Sequence, residues 1–206
     1  MHPQDWEART VAAESLQHEQ PALQDVDLLS RLTQFFDAFD QHVRAGHGWF
    51  IFNARGQRGA RITAFILGRL AEYQLLYTYY FVPWRDFALN AYMVEVELQA
   101  LAAQRQSLEG RVRKELDIAT RVSRDNLARM MVSDLLIVAG IQPQHRHEVV
   151  FLEQAVERRY QQRLSTILIT PAQPHELAWQ IERVAPGERF WDRLFERMYE
   201  RSLIAM

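Results

Sequence analysis

Hydrophobic positions at Leu28, Leu29, Leu32, Phe35, Phe36, Phe39 and Val43 recur three and four residues apart, which predicts an amphipathic helix. Gly46 and Gly48 end it. The next run, Trp49-Phe50-Ile51-Phe52, is apolar without alternation, as expected of a strand covered on both faces. A loop bearing glycines and arginines is predicted over Asn53–Gly59, then a helix over Ile62–Tyr73. Aromatic-rich Tyr77–Val82 reads as a second strand, stopped by Pro83. From Trp84 to about Val132 the pattern is helical, with a break near Gly110. Leu135–Val138 and Thr166–Ile169 are two more buried strands, with a helix from about His145 to Gln162 between them. After Pro171 and Pro174, helices over about Glu176–Val184 and Glu188–Arg201 lead to Leu203-Ile204-Ala205, a fifth strand.

Apolar strands alternating with helices predict an α/β fold of three layers, with helices on both faces of a central, mostly parallel sheet. One domain over residues 28–206 accounts for the pattern, with a helical insertion at about 84–132 and a polar N-terminal arm over 1–27. In 206 residues, 48% hydrophobic and 24% charged side chains suffice for a folded core. The absence of cysteine excludes a disulfide framework, a thiolate metal site and a cysteine nucleophile. No apolar run is long enough to cross a membrane, and the first residues lack the apolar stretch of a signal peptide, so a cytoplasmic location is expected. A net charge of -2 argues against a uniformly basic coat for DNA and leaves room for a local basic patch. Lys114 is the only lysine among 24 basic residues, so any lysine-dependent mechanism must use it.

A buried strand, a glycine-bearing loop and a helix form the layout of a phosphate-binding loop, in which backbone N–H groups and a helix N-terminus face an anion. A working version also needs a lysine and a hydroxyl after its last glycine. Phe52-Asn53-Ala54-Arg55-Gly56-Gln57-Arg58-Gly59-Ala60-Arg61 has neither. Its candidate anion-binding residues are Arg55, Gly56, Arg58, Gly59 and Arg61, because guanidinium forks suit phosphate. The competing reading is a solvated arginine-rich loop.

From about residue 28 onward the chain resembles the AAA+ domain of the DnaC-type helicase loaders, the IstB transposition ATPases and their relative DnaA. Phe35 to Phe52 resembles the helix and strand leading into the Walker A loop. Ser133-Asp134-Leu135-Leu136-Ile137-Val138 is similar to the Walker B strand, and Glu157-Arg158-Arg159-Tyr160 to the end of the following helix. Ser165 to Thr170 and Pro174-His175-Glu176-Leu177 resemble the sensor 1 strand and the turn after it. The resemblance implies a P-loop core, and it also marks departures from it. Where the family has lysine and threonine, one register puts Gly59 and Ala60 and another puts Ala60 and Arg61. Ala139 and Gly140 stand where the two Walker B acids belong, and Pro171 where the sensor asparagine belongs. Phosphoryl transfer relies on those side chains for almost all of its catalysis. The expectation is therefore a protein that is not an enzyme and holds no cofactor.

Arg189 and Arg193, in the segment that resembles the family's late arginine-bearing stretch, are candidate interface arginines. Their alternative is pairing with Asp192, Glu196 and Glu200 on a charged helix. The stretch containing Arg111, Arg113, Lys114, Arg121 and Arg124 is the most basic of the chain and is the candidate contact for DNA or a partner. His145-Arg146-His147-Glu148 lacks metal-ligand spacing on a helix, so no metal is expected. No serine-hydrolase elbow is present. What the resemblance implies is a non-catalytic adaptor or regulator in replication initiation, helicase loading or transposition. It would bind a protein partner such as an active ATPase or helicase, with DNA as a second partner and assembly into an oligomer or hetero-complex. The alternatives are an ATP-binding switch with an arginine-based loop, and a structural subunit of a larger assembly.

Overall fold

The computed structural model describes residues 23–73, 76–97 and 110–206. Fourteen of its segments are regular in the order α1 (Leu23–Asp37), α2 (Phe39–Ala45), β1 (Gly48–Ile51), α3 (Gly56–Ala71), β2 (Tyr79–Pro83), α4 (Trp84–Tyr92), a π-helical turn (Met93–Glu97), α5 (Gly110–Val132), β3 (Leu135–Ala139), α6 (Arg146–Gln161), β4 (Ser165–Ile169), α7 (Pro174–Val184), α8 (Phe190–Arg201) and β5 (Ser202–Ala205). The five strands form one sheet in the order β2-β3-β4-β1-β5. Every pairing is parallel.

Alternation inside the strands divides the core in two. Trp49, Ile51, Leu135, Ile137, Ile167 and Ile169 point to one face, where Leu32, Phe35, Phe36 and Phe39 of α1 and α2 and Ile62 and Ile66 of α3 cover them. Phe50, Leu136, Val138 and Leu168 point to the other, under Phe87 of α4, Phe151 and Leu152 of α6, Leu177 of α7 and Leu194 of α8. A parallel sheet must be covered on both sides, and this is why its strands read as unbroken apolar runs. The three-layer α/β architecture is as expected, with a sheet that is parallel throughout.

Several boundaries differ from the sequence reading. The first helix begins at Leu23, inside the stretch read as arm, and the turn at Ala38 divides it from α2. Residues 1–22 lie outside the described residues. The loop predicted over Asn53–Gly59 is shorter, because α3 already starts at Gly56. Pro83 closes β2 from within; β2 lies at the sheet edge, where a missing N–H is tolerated. Of the insertion, residues 98–109 lie outside the described residues. Gly48 opens β1 instead of ending a helix, and a Cβ there would lie 1.9 Å from the Thr166 carbonyl oxygen. Only glycine lets the two backbones approach so closely.

At the amino ends of the strands Arg159, on α6, is fully buried. Its Nη1 donates to the Met130 carbonyl at 2.7 Å and its Nε to Thr166 Oγ1 at 3.1 Å. Its Nη2 donates to the Ser165 carbonyl at 2.5 Å. One side chain thus joins α5, α6 and β4. Arg159→Ala is expected to lower the free energy of unfolding by roughly 3 kcal/mol or more, since each buried acceptor stranded by the change costs about 1–3 kcal/mol. Urea unfolding of the two proteins measures the difference.

Candidate functional site

Parallel strands place all their carboxyl ends on one edge of the sheet, and in open α/β sheets ligands bind beyond that edge. The segments there are Phe52–Arg55 after β1, Gly140–His145 after β3 and Thr170–Gln173 after β4. Between them and α7 lies an open cavity of about 820 Å³, with Arg55, Gln142, Pro171, His175, Glu176 and Trp179 on its walls. Gln180 Oε1 is buried in the same wall and has no hydrogen-bond partner among the described residues.

The segment after β1 is a tight link that lies flat across the ends of its neighbours. The Phe52 N–H donates to the Ala205 carbonyl at 2.8 Å, Asn53 to Ala172 at 3.0 Å and Ala54 to Thr170 at 2.9 Å. Only four residues separate β1 from α3. Gly59, in the first turn of α3, lies against this link; a Cβ there would be 2.5 Å from the Ala54 carbonyl oxygen. Its place in the chain therefore follows from close backbone packing.

All three candidate arginines of the loop have internal partners. Arg55 donates through Nη2 to both oxygens of Glu176, at 2.9 and 2.6 Å, and through Nε to the Pro171 carbonyl at 2.9 Å. Arg58 donates to the Phe52 and Asn53 carbonyls at 3.0 and 2.7 Å, and its Nε pairs with Asp25 at 2.6 Å. Arg61 reaches the other oxygen of Asp25 at 2.9 Å. Cations in the first turn of a helix oppose its dipole, and here buried Asp25 offsets them. Gly56 opens α3 beside the cavity.

Two carboxylates thus belong to the site that sequence reasoning did not assign to it. Asp25 falls in the stretch read as arm, and no periodicity links it to residues over thirty positions away. Burial pushes its carboxyl upward, but the bonds and charges of Arg58 and Arg61 outweigh that and leave it below its ordinary 3.8. Glu176 is also held below the usual carboxylate range, first by the Gln173 N–H and then by Arg55.

Ala139 ends β3, and Gly140 and Ile141 both donate to the Ile169 carbonyl, at 2.9 and 3.1 Å. The buried hydroxyl of Thr170 donates to the Ile141 carbonyl at 2.9 Å and accepts from the Ala172 N–H at 3.1 Å. The ends of β3 and β4 are therefore stapled through backbone, with no carboxylate from Ala139 or Gly140 aimed at the cavity.

The remaining candidates lie elsewhere. Arg189 precedes α8 in a left-handed conformation and pairs with Asp192 at 3.0 Å. Arg193 pairs with Glu153 of α6 at 2.9 Å and donates to the Glu188 carbonyl. The two do not form one helical face, because only Arg193 lies within α8. Arg121 is exposed on α5, while the side chains of Arg111, Arg113, Lys114 and Arg124 lie outside the described residues. His145 and His147 stack at 5.4 Å between ring centres, and Glu148 accepts the Gln144 N–H at 2.7 Å at the start of α6.

No family model matches the chain, and no curated protein matches it. Solved structures do. A DnaC helicase loader superposes with a TM-score of 0.55 over 92% of this chain and 94% of its own, at 13% identity. A putative primosome component from Streptococcus pyogenes serotype M3 gives 0.57 over 91% and 82%, at 14% identity. AMPPCP-bound DnaA from Aquifex aeolicus gives 0.53 over 92% of this chain and 48% of its own, at 11% identity. The chain therefore has a DnaC/DnaA-like AAA+ fold. No helix among the described residues is long and apolar enough to cross a membrane.

Asp25 gives the site a measurable signature. A carboxyl whose pKa is lowered on folding stabilises the fold at neutral pH, and that contribution is lost as pH falls through 3.8 toward the folded value. Asp25→Asn is expected to cost about 1–3 kcal/mol at pH 7. The gap to the parent should close as unfolding is measured at successively lower pH below about 4.

Proposed function

We propose, from a fold shared with a helicase loader and with DnaA, that this chain acts in DNA replication initiation as a non-catalytic adaptor or regulator. It works by binding a protein partner, such as an active ATPase, with DNA as a second contact. The observation that carries this reading is the link between β1 and α3. Where a nucleotide-hydrolysing relative needs a loop that wraps a phosphate, here four residues lie flat on the ends of β4 and β5. The guanidinium of Arg58 holds the link's own carbonyls.

Three further features support the reading. The link and the first turn of α3 carry no lysine. Ala139 and Gly140 bring no acid to hold magnesium, and Pro171 brings no amide to orient water. Charge neutralisation by lysine and metal and positioning of the attacking group supply almost all of the catalysis in phosphoryl transfer. A backbone already committed to strand ends cannot supply them instead.

The open cavity beside Arg55 favours a second reading, an ATP-responsive switch with an arginine in place of lysine. Phosphate would then have to displace Glu176 from the guanidinium. Calorimetry with ATP and with ADP, each with magnesium at millimolar nucleotide, separates the two. The adaptor reading expects no heat of binding and no phosphate release. Binding at micromolar affinity would overturn it in favour of the switch. Size measurement of the chain with and without a replication ATPase then tests the partner, and a stable complex is the expected result.

A further inference from the structure

At the other end of β1, far from the cavity, the turn after α2 brings two imidazoles together. His42 Nδ1 lies 3.1 Å from His47 Nδ1, with the rings tilted 47° to one another. We propose that His42 and His47 form a two-nitrogen chelating site for a divalent, imidazole-seeking cation such as Zn2+ or Ni2+. Two nitrogens each about 2.05 Å from a tetrahedral ion lie about 3.3 Å apart. The observed separation is within a few tenths of an ångström of that spacing, so little more than a ring rotation is needed to admit the ion.

One ring and the backbone of the other ligand are held in place before any ion arrives, and the exposed His47 ring is the one that turns. The His42 ring stacks on Phe35, a core side chain only 1% exposed, at 4.6 Å and 9° between planes. His47 is fixed through its backbone: its N–H donates to the His42 carbonyl at 2.9 Å, and its carbonyl accepts from Ser165 Oγ at 2.6 Å. A ring held by packing favours binding, because less order has to be gained when the ion arrives.

In the metal-free state one proton shared between the two Nδ1 atoms accounts for their contact. An ion takes the place of that proton. Asp40, on the same helix, pairs with Arg44 at 2.9 Å. Among the described residues no third histidine or carboxylate completes a metal cluster. Water therefore fills the other positions, and the site is an exchangeable one that ties the end of α2 to the start of β1.

The test is calorimetry and thermal unfolding of the full chain with ZnCl2 or NiCl2 alone. One ion per chain is expected, with a rise in Tm on adding metal. His47→Gln, at an exposed position, should keep the metal-free Tm but lose roughly tenfold or more in affinity, and its Tm should no longer respond to metal. A double variant, His145→Gln with His147→Gln, should bind as the parent does. The proposal is overturned if the parent takes up no metal, if His47→Gln binds undiminished, or if binding is lost in the double variant.

Discussion

A guanidinium with no water around it sets the geometry of the amino ends of this sheet. Arg159 is an ion in an apolar layer, and such a group persists only if its donors find acceptors. They find the Met130 carbonyl of α5, the first carbonyl of β4 and the Thr166 hydroxyl. The acceptors lie on two elements, α5 and β4, and the donor on a third, α6, so the charge is satisfied only when those three segments sit in this relative placement. The apolar side chains around it favour burial in general; the arginine selects one arrangement. With the amino ends held in this way, the register of β3 on β4 is set along its whole length, and so is the position of the segments at the opposite edge.

Arginine serves the same purpose at that opposite edge. Arg58 gathers the loose carbonyls at the end of β1, and Arg55 bridges from the β1 link to α7. Here Asp25 and Glu176, supplied by the chain itself, meet the positive charge. The ion pair of Asp25 is nearly dry and contributes to stability, whereas that of Arg55 is open to water and is correspondingly weak. The site therefore has a firm side, toward α1, and a labile side, toward the cavity.

Much of the architecture was legible in the residues. Unbroken apolar runs such as Leu135–Val138 identify strands buried on both faces, and their alternation with helices fixes the layer order. Other features could not be read because they are tertiary. Nothing in the local pattern at Asp25 distinguishes a solvated acid from one enclosed by two arginines of a helix far along the chain. The length of the β1 link was overestimated because Gly56 and Gly59, read as loop formers, are accommodated inside a helix. Gly59 is needed there by the Ala54 carbonyl. The histidine pair is hidden in the sequence for a related reason: His42 and His47 are five apart, a spacing that meets neither on a helix nor on a strand, only across the turn between them.

The strand order bears on how the chain comes together. β1 carries the fully buried aromatics Trp49 and Phe50, yet both its neighbours, β4 and β5, are made from the far end of the sequence. No hairpin can shelter Trp49, Phe50 and Ile51 in the meantime. Contacts this non-local pay loop closure before they return any burial, which slows folding. During synthesis both strands that flank β1 are therefore missing until almost all of the domain has been made. A chain of this design depends on its helices α1 to α3, or on a chaperone, to screen that run from its neighbours in a crowded cell.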